Sequence, residues 1–147
     1  MTTNKETISV LNDLIETCNN GVKGFRTAAA SVTDTRAKTV FSTRAAEIEK
    51  ASHELATEVR NLGGDPEKSG TAAGAVHRGW LDLKAAVTGG DDTGILTECE
   101  RGEDHAIKTY DSALKKDLPM QTRSMIEKQR NGAIANLDTV RQMKKAA

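Results

Sequence analysis

Glu103 is the residue whose type and placement in this chain most invite chemistry. It falls in the series Leu96, Cys99, Glu103, Ala106, Tyr110 and Ala113, whose alternating spacings of three and four trace one face of a packed helix. A carboxylate on such a face loses its hydration on folding, and a cation, hydrogen-bond donors or a metal must replace the water. Glu100 and Asp104 lie on the same segment and could gather a cation with it, although runs of acids on helices are ordinarily solvated. Elsewhere Glu49 and His53 are four apart, a spacing that lets both reach one metal from a single helix face. Arg130 and Gln129, far along the chain, are the polar partners expected at the level of Glu103. A buried Glu and Arg pair would specify helix register while adding little net stability.

Other reactive side chains read as structural. Cys18 and Cys99 each sit on an apolar stripe without a CxxC partner, so both are expected to be buried thiols. His77 and His105 fall at the edges of their stripes. The sequence holds no Ser, His and Asp arrangement, and no phosphate-cradling loop. Gly21 and Gly24 lie mid-helix rather than ahead of a helix.

The elements that must position these residues are all helical. Thr3 followed by Glu6 predicts a helix start, and Ile8, Leu11, Ile15, Cys18, Val22, Phe25, Ala29 and Val32 form its apolar face. Asp34 is suited to cap a second helix with Phe41, Ala45, Ile48, Ser52, Leu55, Val59 and Leu62 inside, ended by Gly63 and Gly64. A shorter helix is expected to carry Ala73, Val76, Trp80, Leu83 and Val87 up to Gly89 and Gly90. Asp91 or Asp92 caps the helix of Glu103, which should end near Lys116. Pro119 opens a last helix with Met125 or Ile126, Ala133, Leu137, Val140 and Met143 on its apolar side. The fold class is thus all-α, a four-helix bundle with an additional short helix in the long crossover between the second and third long helices, forming a single domain over residues 1–147. Phe25, Phe41, Trp80 and Tyr110 are the only aromatics, and all are expected in the core. Gly21, Gly24, Gly74, Gly79, Gly102 and Gly132 interrupt helices at about 1 kcal/mol each relative to Ala, which close packing or room for a ligand beside Glu103 should offset.

Composition narrows the function classes. Twenty-one basic residues balance 21 acidic ones, and the four aromatics are not interleaved with basic runs, so neither a nucleic-acid footprint nor an anionic membrane surface is expected. No apolar run approaches a membrane span. Met1 to Lys5 lacks the apolar segment of a secretory signal, which predicts a cytoplasmic protein.

The stretches Leu11 to Phe25 (LNDLIETCNNGVKGF), Gly74 to Gly89 (GAVHRGWLDLKAAVTG) and Glu98 to Leu114 (ECERGEDHAIKTYDSAL) give the chain a resemblance to a bacterial ferritin-like four-helix-bundle family of unknown function. The resemblance implies a ferritin-like fold and distant kinship with rubrerythrins and ferritins. Those relatives build a di-iron site from a Glu on each of two helices and a Glu and His pair on each of the other two. Glu103 is similar to the glutamate that rubrerythrin-like proteins place before a tyrosine. The first helix offers Cys18, Asn19 and Val22 at the comparable level, Lys50 stands three before His53, and Glu127 is followed by Arg130 where a histidine is needed.

Three functional expectations follow. The first is a non-enzymatic structural or interaction module with a degenerate metal site, which its kinship associates with stress, and for which no cofactor is required. The alternative is an iron- or manganese-binding protein, or a di-iron oxidase, using Glu103 with Glu49, His53 or Glu100. A bundle that opens beside its glycine-rich middle to take a hydrophobic ligand or partner helix is a third. The resemblance also allows a homodimer formed through exposed helix faces.

Overall fold

Each long helix begins and ends where side-chain and backbone chemistry lets it. The computed structural model describes residues 3–66, 80 and 83–146. Helix α1 spans Asn4–Ser31, and the Thr3 hydroxyl accepts the Glu6 amide at 3.1 Å. Helix α2 spans Thr35–Asn61 with Asp34 capping it through the Arg36 amide. Gly63 closes α2 in the left-handed conformation, φ +87°, which lets the Gly63 and Gly64 amides bond back to Arg60 and Val59. Helix α3 is short, Leu83–Thr88, and stops at Gly89 and Gly90. Helix α4 spans Asp92–Leu114, capped by Asp91 on the Thr93 amide. Helix α5, Met120–Ala146, starts directly after Pro119.

The apolar stripes close on one another. Leu11, Leu14, Phe25, Phe41, Leu55, Val59, Ile95, Ile126 and Val140 are almost wholly buried in a core that draws on all four long helices. The described residues contain no strand. On α1, Ala28 is fully buried beside Ala29, which is partly buried against the same core.

Hydrogen bonds between helix ends fix the order of the bundle. The Asp92 carboxylate accepts the Thr33 amide at 2.9 Å, the Thr33 hydroxyl at 2.9 Å and the Asp34 amide at 3.1 Å. The start of α4 therefore lies at the α1–α2 turn. At the opposite end Thr122 of α5 donates to Glu58 of α2, and Asn12 of α1 donates to the Asp65 carbonyl. Helix α4 consequently runs parallel to α2 and antiparallel to α1, and the end of α2 and the start of α4 lie at opposite ends of the bundle.

The short helix departs from expectation. Trp80 precedes it rather than lying within it, and Ala73, Val76, Gly74 and Gly79 fall outside the described residues. The indole instead enters the groove between α1 and α4. It packs over Gly24 and Gly102, where a methyl group on either glycine would overlap the ring. Its ring also meets Phe25 edge-on, with centroids 5.0 Å apart, and Phe25 in turn contacts Phe41.

A buried polar centre in the bundle

Glu103 occupies the middle of α4 with 1 % exposure. Its desolvated charge is answered across the bundle by Arg44 of α2. Arg44 Nε donates to Oε2 at 2.9 Å and Nη2 donates to Oε1 at 2.9 Å, the bidentate fork that a guanidinium offers a carboxylate. Asn136 of α5 adds a third donor, its Nδ2 lying 2.7 Å from Oε2. Arg44 is itself buried. Burial opposes its charge, but the hydrogen bonds and charge of Glu103 outweigh it, and the guanidinium pKa is raised. Glu47 at 3.9 Å contributes from the same helix.

A second polar layer lies toward the C-terminal end of α4. The Tyr110 hydroxyl donates to Gln129 Oε1 at 3.1 Å, and Gln129 Nε2 donates to the Ala51 carbonyl at 3.2 Å. The Cys18 sulfur sits 3.7 Å from the same Tyr110 oxygen. Ser52 donates to Asn19, tying α2 to α1. The two layers cross-link all four long helices, with their polar atoms matched inside an otherwise apolar core.

The expected partner Arg130 is corrected to Arg44. In the α4–α5 hairpin, Glu103 faces Asn136, Tyr110 faces Gln129, and Asp111 faces Arg130. Arg130 therefore stands six residues, about 9 Å, from the level of Glu103 and pairs with Asp111. Gln129 is buried as expected, but it serves Tyr110.

The other candidate ligands are dispersed. Glu49 faces solvent beside Arg26, 2.7 Å away, and His53 is exposed one turn further along α2. Glu100 pairs with Arg141 at 3.1 Å and Lys144 at 3.3 Å, on the α4–α5 side. Among the described residues, no three His, Cys, Asp or Glu side chains converge as a metal-binding group. A di-iron centre does not fit this donor set, because both oxygens of its one core carboxylate in the expected ligand set already accept hydrogen bonds from Arg44 and Asn136.

Residues 6–116 match the family described as Domain of unknown function (DUF2383). The chain belongs to this family. The DUF2383 match takes in Arg44, Trp80 and Glu103 and stops ahead of α5, so Gln129 and Asn136 lie beyond it. No curated protein matches the chain. No described helix of this DUF2383 protein is long and apolar enough to cross a membrane.

Around the polar centre, Thr17, Cys18, Gly21, Phe25, Arg44, Ile48, Trp80, Gly102, Glu103, Ala106 and Tyr110 enclose a cavity of about 20 Å³. That is room for a single water-sized molecule. Both cysteines are buried and free. Burial pushes the Cys18 thiol up to about 11 and raises the Tyr110 and Cys99 pKa values well above their ordinary range. Cys99 lies eleven residues, about 16 Å, along α4 from the level of Cys18, too far for a disulfide.

Arg44, Asn136 and buried Glu98 are the residues that sequence reasoning passed over. The first two carry the same signal as Glu103. Arg44 falls between Phe41 and Ile48, and Asn136 between Ala133 and Val140, at the three-and-four spacing of their stripes. Glu98, adjacent to Cys99, pairs with Arg101 at 3.1 Å.

Proposed function

We propose that this DUF2383 protein is a ferritin-like bundle that works as a non-enzymatic structural or interaction module, with an ion pair standing where its metal-binding kin place cations. The observation that carries this reading is the bidentate Arg44–Glu103 contact, completed by Asn136. The guanidinium supplies positive charge at mid-bundle and uses both carboxylate oxygens. The parallel course of α2 and α4, with the end of one and the start of the other at opposite ends of the bundle, supports the ferritin-like kinship. A cytoplasmic, stress-associated setting belongs to the same proposal and rests on that kinship alone.

Breaking one member of a buried pair leaves a charge without compensation, whereas replacing both by apolar groups of similar volume is often neutral. The pair thus suits a role in fixing which helices meet and at what level. The test is elemental analysis of untagged protein before and after reconstitution with iron(II) or manganese(II), beside an E103A variant. The proposal expects metal far below one ion per chain in both proteins. Near-stoichiometric metal that disappears in the variant would establish the metalloprotein reading instead.

A further inference from the structure

The cavity beside the ion pair is small, and its walls are too polar to stay dry. Its volume of about 20 Å³ admits one water-sized molecule, and Thr17, Cys18, Arg44, Glu103 and Tyr110 are among its lining residues. Dry cavities in proteins are lined by apolar side chains alone. Charge is already balanced here, because Arg44 meets Glu103 at 2.9 Å. Size and charge together select a neutral occupant of one heavy atom.

The hydrogen bonds of the lining residues leave acceptors to spare. An ionised carboxylate offers about four lone-pair positions. Oε2 of Glu103 accepts from Arg44 Nε and Asn136 Nδ2, whereas Oε1 accepts from Arg44 Nη2 alone. The Thr17 hydroxyl donates to the Asp13 carbonyl at 3.1 Å and the Tyr110 hydroxyl to Gln129 at 3.1 Å, so each oxygen retains a lone pair for an incoming donor. Cys18, whose buried thiol keeps its proton up to about 11, adds a weak donor. A molecule with two O–H donors and an acceptor oxygen matches this set.

We infer that the cavity is an internal hydration site, in which one resident water donates to Glu103 Oε1 and to the hydroxyl oxygen of Tyr110 or Thr17. The water completes the hydrogen bonding of the buried carboxylate and joins the ion-pair layer to the layer around Tyr110.

Two measurements test this. A crystal structure of the full chain should show a single density peak in the cavity, about 2.7–3.1 Å from Glu103 Oε1 and from one of those hydroxyl oxygens. Density without those contacts, or none, would overturn the site. Oxygen-17 relaxation dispersion of the solvent, which registers long-lived buried waters, supplies the second. Ala106 lines the cavity, and the larger side chain of A106V should fill it, so the folded variant should lose the contribution of one such water relative to the unaltered chain. An unchanged dispersion in folded A106V would overturn the inference, and should A106V fail to fold, the density in the unaltered chain decides it alone.

Discussion

Glu103 was legible in the sequence as a buried carboxylate because a charge interrupts a regular apolar stripe. Its partner was not, since periodicity places a residue on a face but does not align one helix with the next. Arg130 lies on the correct helix and misses by almost two turns, while Arg44 and Asn136 satisfy the same spacing rule and sit at the right level. The thiols were read correctly as buried. Burial at Cys18 makes a pH prediction. Its pKa rises from an ordinary 9.0 to about 11 in the folded chain, so below pH 9 the protonated thiol is shared by both states and the full contribution to stability is present. Between these values the unfolded thiol ionises first, and stability should fall as pH rises, by about 2–3 kcal/mol at most. Urea denaturation from pH 8 to 11 should show this decline, and C18A should be flatter across it.

At the level of elements, the helix ends were the most legible feature. Thr3, Asp34 and Asp91 cap as their types suggest, and Gly63 and Gly90 adopt positive φ at helix ends. Spacing marked Gly24 and Gly102 as sites of close packing or of room for a ligand, but not what packs there. Gly24 and Gly102 receive the Trp80 ring, a contact made by a residue outside any helix and therefore invisible to helical spacing. G102A should destabilise the chain by about 1–3 kcal/mol through overlap with the indole, despite the better helix propensity of Ala. In a W80A background the same substitution should become neutral or stabilising by up to about 1 kcal/mol. Denaturation midpoints of the four proteins check this reversal of sign.

On the scale of the molecule, an all-helical bundle followed from stripes and breakers alone, whereas the short helix of the α2–α4 connection is seen only over Leu83–Thr88 and leaves Trp80 ahead of it. The direction of α4 depends on a contact between distant chain segments, the Asp92 carboxylate on the α1–α2 turn. Asp91 performs the cap, which leaves the Asp92 side chain to join the two hairpins. The bonds from Thr33 hold the Asp92 carboxyl below its ordinary range. Its contribution is therefore complete above the ordinary pKa of 3.8 and is lost as pH falls through the lower folded value. D92N should lower stability at pH 7 by about 1 kcal/mol, and should lose less than the unaltered chain on acidification below pH 3.8. Thermal unfolding at pH 7 and near pH 3 compares them.

The account rests on Arg44 as the cation that answers Glu103. A double-mutant cycle with R44M, E103L and the pair together, measured by urea denaturation at pH 7, tests this most directly. Each single variant should lose about 3–5 kcal/mol, and the double variant should recover most of that loss, giving a coupling of at least about 2 kcal/mol. Additive losses, with coupling under about 0.5 kcal/mol, would contradict the central claim that the two charges sustain one another in the core.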